Sequence, residues 1–123
     1  MLCSLHLRDF VIVDQNHIDF GAGFTVFSGE TGAGKSILID ALSLVLGGRG
    51  DSSVIRAGAE RTEIIATFTT TPSTTAWLNA NDFEHNDELI LRRLIDQQGR
   101  SRTYMNGTPC TVAQLRELGA QLI

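Results

Sequence analysis

Eight consecutive residues carry the chemistry in this sequence. Gly29, Glu30, Thr31, Gly32, Ala33, Gly34, Lys35 and Ser36 fit the pattern G-x-x-x-x-G-K-[ST] without a mismatch. Each residue type has a task there. Gly29, Gly32 and Gly34 let a loop wrap closely round a polyphosphate and turn consecutive backbone N–H groups inward as an anion nest. A helix opening near Lys35 adds its unpaired N-terminal N–H groups and the positive end of its dipole. Lys35 is placed to put a point charge on the β- and γ-phosphates, and the Ser36 hydroxyl to ligate Mg²⁺. Residues 29–36 are therefore the expected site for ATP with Mg²⁺, with Lys35 as its catalytic cation and Ser36 as its metal ligand.

Hydrolysis asks for more. A carboxylate at the end of a second apolar strand must hold the metal, and a polar group must orient the attacking water. Phe10-Val-Ile-Val-Asp14 has the apolar run but precedes the glycine-rich loop, so Asp14 reads as a surface-turn residue. Leu94-Ile-Asp96 lies downstream, but Arg92-Arg93 breaks its apolar run. Neither is a convincing Walker B carboxylate. Arg49, Arg56 and Arg61 could reach a nucleotide or a DNA phosphate, or be solvated loop residues. Tyr104 and Trp77 could stack on a base, or simply pack.

The elements that must position the loop are legible on both sides of it. Phe24-Thr-Val-Phe27 is β-branched and aromatic, the composition of a buried strand. From Lys35 to Leu46 apolar residues fall almost all round a helix, stopped by Gly47-Gly48. Such a helix is expected to be covered on nearly every face, under a sheet in the centre of the domain.

Around this unit, alternation predicts a half-buried strand over 5–10 and a second over 11–13 and 18–20. Residues 49–61 read as a loop or broken strand, 63–68 as a strand, 69–75 as a Thr/Pro linker and 75–81 as a short helix. A strand over 88–95 turns at 96–99 into a run at 102–105. Asn106-Gly107 then marks a hairpin, because both turn positions need φ > 0. Thr111 and Gln114 form a capping box, from which a helix is expected to run to about Leu118 and stop at Gly119. Gln121-Leu122-Ile123 reads as the opening of an apolar strand, as though cut from a longer chain.

Composition bounds the rest. The 123 residues are 42% hydrophobic and 20% charged, which allows one domain that needs neither disulfide nor structural metal. No apolar run approaches the roughly 18 residues of a membrane span, and Arg8 and Asp9 interrupt any leader-like start, so a cytoplasmic location without a membrane partner is expected. Cys3 and Cys110 lack CxxC spacing and fit reduced thiols; His6, His17 and His85 are scattered, so no metal cluster is expected. A net charge of −4 gives no global signature of nucleic-acid binding, and any DNA contact must be local or supplied by other sequence.

Taken together, Leu5-His-Leu-Arg-Asp-Phe-Val-Ile-Val-Asp14, the run from Phe24 through the helix to Leu46-Gly-Gly-Arg-Gly-Asp51, the hairpin Arg100-Ser-Arg-Thr-Tyr-Met-Asn-Gly107 and Gln114-Leu-Arg-Glu-Leu118 resemble the N-terminal segment of the RecN family, relatives of the SMC ATPases. The resemblance implies an α/β P-loop NTPase, the N-terminal lobe of an ABC/SMC-type ATPase head, with a mixed sheet and an antiparallel strand subdomain. In that reading 1–123 is a single lobe that stops before the Q-loop glutamine, and Gln97 and Gln98 belong to a turn. A C-terminal lobe of the same chain, beyond a coiled coil, would bring the signature motif, Walker B and the switch histidine. Heads would pair head to head around ATP and engage DNA, at the nucleoid, in double-strand-break repair and recombination. The alternatives are the head of another ABC-type protein, or a P-loop small-molecule kinase.

Overall fold

The computed structural model describes residues 2–11, 13–19, 32–84 and 86–122. The predicted strand over 24–27 and the first three residues of the glycine-rich motif fall outside them. Among the described residues six strands form one sheet: β1 (Leu2–Phe10), β2 (Val13–Asp19), β3 (Arg61–Thr69), β4 (Glu88–Asp96), β5 (Ser101–Met105) and β6 (Thr108–Cys110). Their order is β2-β1-β3-β4-β5-β6, and among the described residues every pairing is antiparallel. The described residues also form three α-helices: α1 (Gly32–Val45), α2 (Pro72–Ala80) and α3 (Val112–Leu122).

Alternation along the strands decides which face is covered. Leu5 and Leu7 on β1, Ile64, Ala66 and Phe68 on β3, Leu89 and Leu91 on β4, and Met105 on β5 all bury on one side. There they meet Ala41, Leu44 and Val45 of α1, Leu78 of α2, and Leu115 and Leu118 of α3 in a single cluster. Residues between them, among them Arg8, Arg92 and Arg102, stand on the open face, as an antiparallel sheet allows. Asn106 (φ 50°) and Gly107 (φ 84°) turn β5 into β6 as the dipeptide predicts. The capping box at Thr111 forms, with Thr111 Oγ1 accepting from the Gln114 N–H at 3.0 Å and Gln114 Oε1 accepting from the Thr111 N–H at 2.9 Å.

Four expectations are corrected. α2 starts at Pro72 rather than 75: Thr71 is its N-cap, Pro72 occupies its first turn, and the Thr71–Thr74 side chains close a capping box. α3 does not stop at Gly119 but runs on to Leu122, so Gln121 and Leu122 are helical and not the start of a strand. Gly119 serves close packing instead, since a Cβ there would lie 3.1 Å from the Leu46 carbonyl oxygen. Finally, α1 is not covered all round. The sheet takes Ala41, Leu44 and Val45, α3 partly covers Leu42 and Leu46, and Ile39 stays 60% exposed.

The 49–61 segment is neither plain loop nor strand. It holds one 3₁₀ turn (Ser52–Val54), capped by Asp51, and an isolated bridge from Ile55 to Phe10. Among the described residues no helix is long and apolar enough to cross a membrane.

Candidate phosphate-binding site

The motif's last five residues, Gly32 to Ser36, open α1, so Lys35 and Ser36 stand on the N-terminal end of a helix as the mechanism requires. Gly29, Glu30 and Thr31 lie outside the described residues. The first turn of α1 contains no acidic residue. The first turn itself thus sets no carboxylate against the positive end of the helix dipole, where backbone N–H groups stand free of intrahelical partners.

The other end of α1 is closed twice over. Gly47, at φ 98°, donates its N–H to Leu44 O at 3.0 Å, and Gly48 donates to Ser43 O at 2.9 Å, the paired bonds of a Schellman motif. The predicted glycine stop holds here. A side chain from the sheet then reaches the same end: Arg93 of β4 donates through Nη1 to Leu44 O at 2.7 Å and to Gly48 O. No basic residue of the helix itself does this.

Both candidate carboxylates have local partners. Asp14 is 81% exposed on β2 and faces Arg56 at 3.8 Å. Asp96 closes the β4–β5 turn, where its Oδ1 accepts from the N–H groups of Gln98 and Arg100, each at 3.0 Å. Gln97 and Gln98 sit in that turn, as expected.

The three candidate arginines are not brought together. Arg56 bridges Asp9 and Asp14 and ties the 3₁₀ segment to the β1–β2 hairpin. Arg61 lines polar hollows on the open sheet face, and among the described residues neither Arg49 nor Arg61 has an ion-pair partner. Both aromatic candidates pack. Trp77 stacks on Phe83 with ring centroids 5.9 Å apart and donates to Glu117, while Tyr104 lies beneath the Arg92 guanidinium.

Arg93 is the residue that reading for apolar runs missed. In a run it is an interruption. In alternation it is in phase with Leu89, Leu91 and Ile95, an inward position, and it is buried there.

The family described as an AAA domain matches residues 4–117. The DNA repair protein RecN of Vibrio cholerae serotype O1 is 44% identical over the whole chain, that of Xylella fastidiosa (strain Temecula1) 46% and that of Bacillus subtilis (strain 168) 39%. The chain spans only 22–23% of the length of these curated relatives. Among solved structures, one from work on ATP-driven dimerization and DNA-stimulated activation of SMC ATPases superposes with a TM-score of 0.78 at 28% identity, covering 98% of this chain and 79% of that one. The SMC head domain of Pyrococcus yayanosii, with its coiled coil and joint, superposes with a TM-score of 0.73 at 26% identity over 97% of this chain and 25% of that one. A small-molecule kinase is not favoured by either comparison. The chain therefore belongs to the AAA-domain family, as a RecN-like member with the fold of an SMC-type ATPase head.

Proposed function

We propose that this chain is the ATP-binding lobe of a RecN-like ATPase acting in DNA double-strand-break repair and recombination. The observation that supports it most directly is the placement of Gly32 to Ser36 at the start of α1, with no acid in the first turn. Gly29 to Gly34 would present backbone N–H groups to the triphosphate, and Lys35 would draw the β- and γ-phosphates against the helix end. Ser36 would offer its hydroxyl to Mg²⁺. Mg²⁺ held there would supply charge neutralisation for the phosphates.

The chain's short span of its relatives fits a divided site. Residues 1–123 would form one lobe, and a C-terminal lobe of the same polypeptide would supply Walker B and the signature motif. Two heads would then pair around ATP, in the cytoplasm, while engaged with DNA. Calorimetric titration of the complete polypeptide with Mg·ATP tests the site: Lys35→Ala is expected to abolish measurable binding. Unchanged affinity in that variant would refute the reading.

A further inference from the structure

β4 turns four residues inward, and three of them are apolar. The fourth, Arg93, is 3% exposed, and among the described residues it meets no carboxylate. Its acceptors are all neutral. Nη1 bonds Leu44 O and Gly48 O, while Nε and Nη2 reach Ser101 Oγ on β5 at 3.2 and 3.1 Å. Burial first, and then the like charge of Arg116 on α3, push the Arg93 guanidinium below its ordinary range.

A helix end does not need such a residue merely to stay on its sheet. Replacing buried charge by apolar side chains is often neutral or stabilising. What apolar contact lacks is direction. The guanidinium is a rigid planar fork. Here one end of the fork takes a carbonyl from the last turn of α1 and another from the turn beyond it, while its other donors are held by β5. The helix is thereby fixed along its axis as well as against the sheet.

α3 closes the same point from the other side. A Cβ on Gly47 would lie 2.5 Å from Arg116 Cγ and 2.7 Å from the Arg116 backbone nitrogen, so only glycine lets α3 approach this closely. The 14 residues of α1 span about 21 Å as one rigid body, and whatever sets one end sets the other.

We propose that Arg93 is a positioning residue of the phosphate site: locked between β4, β5 and the C-terminal end of α1, it sets the place of the N-terminal end that carries Lys35 and Ser36. The proposal rests on the nucleotide reading above, and Lys35→Ala separates the two. If Lys35→Ala leaves binding intact, that reading fails. If Lys35→Ala abolishes binding and Arg93 proves indifferent, only the positioning role fails.

The test uses the complete polypeptide and Mg·ATP titration, at a temperature where circular dichroism shows each variant folded. Arg93→Met, similar in length but without the fork, is expected to weaken affinity per folded molecule by about tenfold or more, since a small misplacement of binding groups is costly. Arg93→Lys keeps the charge but loses the fork and is expected to fall between Met and the parent. A lowered melting temperature with parental affinity in Arg93→Met would overturn the proposal and leave Arg93 a stability residue. Should Arg93→Met not fold, Ser101→Ala decides. It removes the acceptor that steadies the fork, and a twofold to threefold loss of affinity, of the order expected for a loosened hydrogen bond, supports the role. Parental affinity there overturns it.

Discussion

Asp96 shows how a single carboxylate is set by its turn. The N–H of Arg100 lowers its pKa most, slight burial opposes this, and the Gln98 N–H and the Arg100 guanidinium add to the lowering. A group whose folded pKa lies below its ordinary value of 3.8 stabilises the fold at every pH above that value, and the contribution fades as pH falls through the folded value. Urea unfolding of the parent and of Asp96→Asn should therefore differ at neutral pH and converge well below pH 3.8. A constant difference at both pH values would contradict the assignment. Asp51 shares the sign, through the hydroxyl and N–H of Ser53. This turn was visible in the sequence, since Asp-Gln-Gln-Gly between two apolar runs is turn chemistry. Arg93 is not, because a count of apolar neighbours scores the Arg92-Arg93 pair as a break, whereas strand geometry asks only whether a side chain shares the inward phase and finds acceptors.

At the scale of elements the hydrogen bonds of the caps can be weighed directly. Thr111 supplies the side-chain acceptor at the start of α3, and Gln114 answers it, so two otherwise unpaired N–H groups are satisfied. Thr111→Ala is expected to cost about 1 kcal/mol in urea unfolding, and Thr111→Asp a small fraction of that, because aspartate caps equally well. An alanine variant as stable as the parent would show that α3 is held by its packing, with Leu115 and Leu118 in the core, and not by its cap. Such caps also explain what reading the residues could and could not find. Thr111 with Gln114 is the familiar pairing and predicts the cap that forms. Thr71-Pro72-Ser73-Thr74 makes the same closure with threonine in the answering position, where glutamate or glutamine is the usual signal, and so reads as a linker. The glycine rule worked at Gly47 and failed at Gly119 for a tertiary reason. Gly47 ends α1 with φ 98°, while Gly119 lies in the α3–α1 contact, where packing against Leu46 carries the helix onward.

For the whole molecule the question is which parts of an ATPase reaction this chain can perform. Among the described residues one six-stranded sheet carries three helices on a single face, and α1 packs on it with its C-terminal end held by Arg93. Binding, in the reading proposed above, would use Lys35, Ser36 and the N-terminal N–H groups of α1. Hydrolysis requires a carboxylate free to hold Mg²⁺ and a group to orient water. Asp14 looks outward to Arg56, and Asp96 spends its oxygens on the β4–β5 turn. The 123-residue chain on its own is thus expected to turn over ATP at the background rate of buffer in a phosphate-release assay. The complete polypeptide should turn it over and lose that activity with Lys35→Ala. Turnover by the isolated chain at the 1–10³ s⁻¹ typical of enzymes would mean that a catalytic carboxylate lies within it, and the divided site would have to be abandoned.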